Sequence, residues 1–255
     1  MVNIIVCIKH VPDTETRIKI KEDKKGIETT GIKYIISPYD EFALEEAIRI
    51  KEKHGGTVTT ITMGPKRADD ILRTALAVGA DNAIHILSEN GDSINTVMTI
   101  GEVIKTLPYD IILTGKEAVD YGMGVFPSGI AEYLGINNIN NVTKLDISNR
   151  SLVASRQVEG GDEIVEASFP VVISAQKGLN TPRYPALPNI FKAKKREVKI
   201  LDAKSISVPP FISGGSLVEL SLPPPKKGAK MVEGQTPEEI AAKLIKMLKE
   251  EAKVL

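Results

Sequence analysis

Tryptophan is absent from this chain of 255 residues, and aromatic residues make up only 4% of it. Such a composition leaves few rings for stacking on nucleic-acid bases. The three histidines, His10, His54 and His85, are far apart and form no H-x-x-x-H pair, so a histidine metal centre is not indicated. A single cysteine, Cys7, lies inside an apolar strand pattern, which excludes a disulfide framework and favours a reducing compartment.

Net charge and long apolar runs are also lacking. Lys and Arg total 33 and Asp and Glu total 33, so no global field attracts nucleic acid or an anionic membrane. The longest apolar runs are far shorter than the ~20 residues that a membrane span needs. Met1 leads directly into the strand pattern VNIIVCIK, without the pattern of a secretory signal. We therefore expect a cytoplasmic protein.

The first half of the chain alternates apolar runs with amphipathic stretches. Strands are predicted over 2–9, 57–64, 82–88 and 109–115, and helices over 40–53, 67–78 and 93–107. This alternation is typical of a three-layer, doubly wound α/β fold with a mostly parallel sheet. Asp40, after Ser37 and Pro38, is predicted to cap the first helix.

From Val142 the pattern changes to short alternating runs, which predict antiparallel additions over 142–148, 151–158, 162–169 and 170–175. Periodicity is then lost, and the Pro-rich segment 202–234 predicts an extended arm. A capping box at Thr236 and Glu239 opens a helix predicted over 236–255. We expect an α/β nucleotide-binding domain over 1–201, and an arm with a C-terminal helix over 202–255.

The loop LTGKEAVDYGMGVFPSG, residues 113–129, follows a strand and precedes a helical pattern. A loop in this position is a ready anion site, although its spacing alone equally fits a plain strand-to-helix connection. The ends of the other strands, Lys9–His10, Ser37–Asp40 and Met63–Pro65, are expected at the same edge of the sheet. This convergence favours a nucleotide site.

No catalytic grouping appears in the sequence, as is common where a cofactor carries the chemistry. The segment RYPALPNI places Leu187 between two prolines in a stiff loop, which suits docking onto another protein or, alternatively, burial in the chain's own core. The basic run at 192–199 could mark nucleic-acid binding, but the balanced charge argues against it.

The chain resembles the β subunits of electron transfer flavoproteins. The resemblance rests on VCIKHVPDT, SPYDEFALEEAIRIKE, LTGKEAVD, ASRQVEGGDEIVEASFPVVIS and LNTPRYPALPNIFKAKK. The fixed points of the longest signature are Arg156, Glu159, Gly160, Gly161, Glu163, Pro170 and Ser174. The family implies a fold similar to that of adenine-nucleotide hydrolases and a heterodimer with an α subunit whose FAD exchanges electrons with dehydrogenases.

The resemblance also implies a nucleotide in the β subunit, which is AMP in simple electron carriers and a second FAD in electron-bifurcating members. VPDT and SPYDE favour the second FAD. The implied nucleotide-binding residues are Cys7, Lys9, Ser37, Pro38, Tyr39, Asp40, Met63, Gly115, Lys116, Glu117, Ala118, Val119, Asp120, Gly122, Met123, Gly124, Val125, Phe126 and Pro127. The stretch YGMGVFP lacks the polar side chains usual in the family, so its phosphate contacts are expected to come from backbone.

Partner contacts follow from the same resemblance. The segment 180–196 resembles the family's recognition loop, with Leu187 as the anchor that enters a pocket on a dehydrogenase. The implied docking residues are Leu187, Pro188, Asn189, Ile190, Lys192 and Lys195, of which the two lysines stand where some members are methylated. The C-terminal helix resembles the tail that contacts the α subunit. The alternative class is a stand-alone adenine-nucleotide-binding module of the universal-stress type.

Overall fold

The computed structural model of the chain describes residues 1–89, 92–210, 217–225 and 228–255. It divides into two compact units. Unit 1 comprises Met1–Lys19 and Glu28–Ser216, and unit 2 comprises Ile20–Ile27 and Leu217–Leu255. The division expected after residue 201 stays a prediction.

The strands, in chain order, are β1 (Val2–Cys7), β2 (His10–Pro12), β3 (Tyr34–Ile36), β4 (Gly56–Gly64), β5 (Asn82–Leu87), β6 (Ile111–Gly115), β7 (Asn137–Ser148), β8 (Ser151–Val158), β9 (Gly161–Ser168), β10 (Val171–Ala175) and β11 (Lys199–Asp202). The helices are α1 (Pro38–His54), α2 (Asp69–Val78), α3 (Ser93–Lys105), α4 (Phe126–Leu134), α5 (Leu187–Lys194) and α6 (Pro237–Met247). Short 3₁₀ turns span Lys66–Ala68 and Ala203–Ser205.

A 9-stranded sheet forms the centre of unit 1, in the order β11-β5-β4-β1-β6-β10-β7-β8-β9. Neighbours from β11 to β7 are parallel, while β8 and β9 extend the sheet antiparallel. Helices α1 and α2 cover one face, and α3 and α4 cover the other. The predicted doubly wound α/β fold is therefore confirmed.

Strand β1 shows how the sequence builds this sandwich of layers. Ile4 and Val6 pack into the core on the α1 side, whereas Ile5 and Cys7 pack into the core on the α3 side. Successive side chains of a strand point to opposite faces, so a strand covered on both sides needs an unbroken apolar run. That run is why the strand could be predicted from the sequence.

The prediction that residues 170–175 continue the antiparallel series is wrong. Strand β10 lies between β6 and β7 and is parallel to both. All five of its residues, VVISA, are buried. A fully buried and mostly apolar run fits a strand covered by helices on both faces better than a half-exposed meander strand, and this explains the placement.

Asp40 does not cap α1, contrary to expectation. The helix begins at Pro38 with Ser37 at the capping position, and Asp40 lies in its first turn. Proline suits the first helical position because its missing N–H is not needed there, and this moves the start of the helix back by two residues. The Asp40 carboxylate is instead hydrogen-bonded to the ends of two strands.

Unit 2 combines two segments of the chain that are joined by a backbone hydrogen bond. Ile20 and Ile27 form an antiparallel bridge, and the Leu220 N–H donates to the Lys24 carbonyl over 2.9 Å. The Thr236 hydroxyl accepts from the Glu239 N–H, and the Glu239 carboxylate accepts from the Gln235 N–H. None of the residues of α6 is buried. The helix predicted to run to 255 ends at Met247 and continues as a π-helical turn, Leu248–Ala252.

Candidate nucleotide site and docking helix

The order of the strands places a crevice at the carboxyl ends of β1 and β6. From β1 the chain proceeds outward to β4 and β5, then returns to place β6 on the other side of β1. The two crossovers use opposite faces of the sheet, since α1 and α2 lie on one face and α3 on the other. Ligands of open α/β sheets bind outside the carboxyl ends of the strands at such a switch point.

Asp40 ties the two sides of this switch point together. Its carboxylate accepts the Lys9 N–H over 2.7 Å and the Gly115 N–H over 2.9 Å, at the ends of β1 and β6. Burial raises the pKa of Asp40 to about 7, against the effect of these two hydrogen bonds. A Cβ on Gly115 would lie 2.5 Å from the Asp40 Oδ1, so the close approach requires glycine.

Two lysines connect the loop after β6 to the neighbouring strand and helix. The Lys9 Nζ lies 2.8 Å from the Asp120 carboxylate and 4.6 Å from the centre of the Tyr121 ring. The Lys116 Nζ lies 3.3 Å from the Glu117 carboxylate and 4.8 Å from the centre of the Tyr39 ring. Residues predicted from three distant segments are thus brought together, and each lysine is paired with a carboxylate of the loop.

Ser37 provides a hydroxyl at the start of α1. Its side chain is fully buried, and among the described residues no partner accepts from or donates to its Oγ. A buried polar group without a partner costs about 1–3 kcal/mol. A ligand oxygen or a water that reached this hydroxyl would recover that cost.

The loop between β6 and α4 combines exposed backbone with exposed apolar side chains. Gly122 and Gly124 have φ values of 62° and 63°, in the left-handed region that favours glycine. Tyr121 and Met123 are 71% and 57% exposed. Helix α4 begins without a side-chain cap, so its first N–H groups can bind an anion.

Cys7 and Met63 reach the same edge of the sheet but face inward. Cys7 is 5% exposed, and burial, with the nearby Asp40 carboxylate, strongly raises the pKa of its thiol. The thiol therefore stays protonated, which disfavours a nucleophilic role. Met63 is half-buried and packs against the core on the α3 side.

Sequence reasoning missed a ring stack beside this crevice. The His10 and Tyr34 rings stack with centres 4.3 Å apart, and the Arg67 guanidinium lies 4.8 Å from the centre of the Tyr34 ring. Burial and then Arg67 lower the pKa of His10 to about 4. The available signal for Arg67 was the pair of cations, Lys66 and Arg67, that follows Pro65 at the end of β4. The position of Tyr34 depends on β3, a three-residue strand too short to predict.

A separate cavity of about 630 Å³ lies at the carboxyl ends of β5 and β11. It is lined by Lys66, Leu87, Asn95, Thr99, Asp202 and Lys204, among others. None of the predicted nucleotide-binding residues lines it. Within the described ranges no group of acidic, histidine or cysteine side chains could hold a metal ion.

The predicted docking segment is a helix, α5, and not the stiff loop expected. Pro188 occupies its first turn, a position where proline favours a helix. Leu187 is 72% exposed and Phe191 is 64% exposed, so Leu187 is not buried in the chain's own core. Pro188, Asn189, Lys192 and Lys195 are exposed, whereas Ile190 is half-buried and packs against the core.

The geometry defines a doubly wound α/β protein with a topological switch point between β1 and β6. The family model described as "Electron transfer flavoprotein domain" matches residues 25–206. The chain is 40% identical to "Electron transfer flavoprotein subunit beta" of Bacillus subtilis, with 99% of this chain and 100% of the relative covered. It is 43% identical to the protein of that name from Thermoanaerobacterium thermosaccharolyticum, with 81% and 80% covered. The chain belongs to the electron transfer flavoprotein family.

The described part of the chain contains no helix that is both long and apolar enough to cross a membrane.

Proposed function

We propose that this chain is the β subunit of a heterodimeric electron transfer flavoprotein, which holds a nucleotide in the crevice and shuttles electrons between dehydrogenases and downstream acceptors. The observation that carries the proposal is the junction at Asp40. One buried carboxylate fixes the ends of β1 and β6, and the same edge of the sheet holds two lysines, the Ser37 hydroxyl, which has no partner among the described residues, and the loop that leads to the uncapped start of α4.

The nucleotide phosphates are best served by backbone groups of the loop and by the first turn of α4. Gly122 and Gly124 leave room for a ligand to approach the main chain, and the α4 N-terminus favours negative charge. Lys9 is already paired with Asp120, so a phosphate at Lys9 would compete with that carboxylate. Lys116 is likewise paired, with Glu117, so the Ser37 hydroxyl, which has no partner among the described residues, is the side chain best suited to add to the backbone contacts.

A second FAD is favoured over AMP in this crevice. A flavin needs apolar surface in addition to the contacts that serve an adenine nucleotide, and the exposed Tyr121 and Met123 offer it on the crevice loop. When bound, FAD supplies the electron-transfer chemistry. The residues of this chain orient the cofactor, neutralise its phosphates and exclude water from it.

Acid extraction of the complex with its α subunit tests both parts of the proposal. Co-expression should give a yellow 1:1 complex that releases two FAD and no AMP per heterodimer. Release of one FAD and one AMP would still support an electron carrier but would contradict the binding of a second FAD. A colourless, stable monomer that binds ATP would overturn the function and support the universal-stress class.

Docking of a dehydrogenase is proposed to use α5, with Leu187 as its anchor. Leu187→Ala should raise the KM for the dehydrogenase that reduces the wild-type complex by about tenfold and leave flavin content unchanged. Ile200→Ala is the matched control, because Ile200 is 59% exposed and lies on β11. Equal losses for the two variants, or loss of flavin with Leu187→Ala, would contradict the docking role.

A further inference from the structure

Helix α5 exposes its apolar side chains while the chain just before it is fastened to α1. The Arg183 guanidinium donates to the Glu45 carboxylate over 2.9 and 3.0 Å and to the Glu52 carboxylate over 2.6 and 3.0 Å. The Arg183 N–H also donates to Glu45 over 3.2 Å. A planar guanidinium that meets two carboxylates in this way fixes direction as well as distance.

Burial makes this attachment stronger than an ordinary surface ion pair. Glu45 is 5% exposed, so its charge would be costly without Arg183. The Glu52 side chain is 53% exposed and contributes less. Alongside, the Asn180 side-chain amide donates to the Phe42 carbonyl and the Glu46 carboxylate, both over 2.9 Å. Residues 180–183 are therefore held along α1 by two side chains.

The other end of α5 is fastened to α2. The Arg73 Nη1 lies within hydrogen-bond distance of the carbonyls of Ala193, Lys194 and Arg196, at 3.1, 3.1 and 3.2 Å. Its Nε donates to Asp69 over 2.7 Å, which fixes the guanidinium on α2. The last carbonyls of a helix lack partners within the helix, so Arg73 both caps α5 and attaches it.

We infer that Arg183 and Arg73 are positioning residues that hold α5 in one orientation on α1 and α2, so that Leu187 and Phe191 meet a partner already ordered. The inference rests on the docking role proposed above. A binding surface that is ordered in advance loses less conformational entropy on association. The hydrogen bonds of the two arginines go to carboxylates of α1 and α2 and to the backbone at the end of α5, so they act through the helix backbone and its flank.

Hydrogen exchange and tryptic cleavage of the αβ complex test the attachment without any dehydrogenase. Arg183→Met should speed amide exchange over residues 187–196 by about tenfold, because local opening would cost less free energy. Cleavage after Lys192, Lys194 and Lys195 should accelerate in parallel. Arg17→Met, which removes the same charge from an exposed side chain ahead of α1, is the matched control and should change neither. Unchanged exchange in Arg183→Met would overturn the inference.

A second variant separates lost attachment from damage to α1. Arg183→Met leaves Glu45 buried without its partner, whereas the double variant Arg183→Met/Glu45→Gln removes that charge as well. If the inference holds, the double variant recovers thermal stability but keeps fast exchange at 187–196. Recovery of slow exchange would show that the unpaired Glu45 caused the opening, and would overturn the inference.

Steady-state kinetics tests the consequence for docking. Arg183→Met should raise the KM for the dehydrogenase that reduces the wild-type complex several-fold and leave kcat and flavin content unchanged. Arg183→Lys, which keeps one charged contact, should fall in between. Suppose that Leu187→Ala does raise KM. Fast exchange in Arg183→Met together with an unchanged KM would then overturn the positioning role. If Leu187→Ala leaves KM unchanged, the proposed docking role itself fails, while the exchange data still decide on the attachment.

Discussion

Each unit of this chain contains an amphipathic helix, but only the helix of unit 1 buries its apolar side. In unit 1, α1 packs its apolar side against the sheet, and Ala43, Ala47 and Ile48 are at most 2% exposed. In unit 2, α6 also has a proline in its first turn and adds a capping box that α1 lacks, but it buries no residue. Leu244 and Ile245 remain 45% and 50% exposed. Local signals are enough to begin a helix, whereas only a long-range partner covers its apolar stripe.

This contrast supports the proposal that α6 contacts the α subunit. The exposed side chains of unit 2 include Val218, Leu222 and Met231, at 77%, 62% and 83%. Unit 1 has a core of its own, so its stability should depend on that core.

Gly115→Val should destabilise unit 1 by about 4 kcal/mol, because the new side chain meets the Asp40 carboxylate and the Tyr39 backbone. The midpoint of urea unfolding measures it. Gly161→Val is the control, since a Cβ at Gly161 meets nothing within 4 Å. Similar midpoints for the two variants would show that the close approach at the crevice carries no stability.

The free energy of unfolding of unit 1 should depend on pH through the titration of Asp40. Its folded pKa, raised by burial to about 7, exceeds its ordinary value of 3.8, so the folded state binds more protons than the unfolded state between these values. Stability from this group is therefore full below pH 3.8 and is lost as pH rises through 7. We expect a loss of about 2 kcal/mol from pH 5 to 7. Urea midpoints across this range measure it, and Asp40→Asn should flatten the curve.

The contribution of Glu239 to the stability of α6 in unit 2 should change with pH in the opposite direction. Its pKa is lowered by the hydrogen bond from Lys243 and by the Gln235 N–H, so its contribution is present above pH 4.5 and is lost as pH falls. Circular dichroism of helix content reports it. A loss of helix as pH rises from 5 to 7 would contradict this assignment.

Leu244→Gln should weaken association with the α subunit by about tenfold and leave the unfolding midpoint of unit 1 unchanged. Titration calorimetry with the α subunit measures the association. Lys249→Gln, an exposed change in the following turn, is the control. If Leu244→Gln instead lowers the unfolding midpoint of unit 1, the stripe serves this chain and not a partner.

Thr236→Ala should lower the stability of helix α6 by about 1 kcal/mol, because it removes the hydroxyl that accepts from the Glu239 N–H. Helix content of the free chain should fall, with no shift in the unfolding midpoint of unit 1. Unchanged helix content would show that the cap is not needed.

The sequence predicted most reliably the strands that are buried in the centre of the sheet. Strands β1, β5 and β6 were predictable because each is a mostly apolar run covered on both faces, and β4 because it is rich in β-branched residues. Strand β10 was misplaced because the two strands before it in the chain, β8 and β9, alternate, although its own run VVISA already matched the parallel type. Helix α5 was missed because the prolines around Leu187 suggested a loop, whereas Pro188 stands where a helix tolerates it.

The candidate site was predictable in outline but not in its contacts. The convergence of strand ends brought Lys9, Asp40 and Gly115 to one edge, as expected. The pairing of Lys9 with Asp120 and the attachment of Arg183 to Glu45 join residues more than 100 positions apart. Many acidic residues could satisfy either cation, so only the folded arrangement selects the partner.

The insertion of β10 between β6 and β7 has a consequence for folding during synthesis. Strand β7 is synthesised, followed by β8 and β9, before its inner neighbour β10 exists. Strand β6 likewise has an unpaired edge until β10 is made. Residues 171–175 close both edges at once. Pairings of such wide sequence separation form slowly, so the second half of the sheet is the stage at which a nascent chain is most exposed to edge-to-edge association.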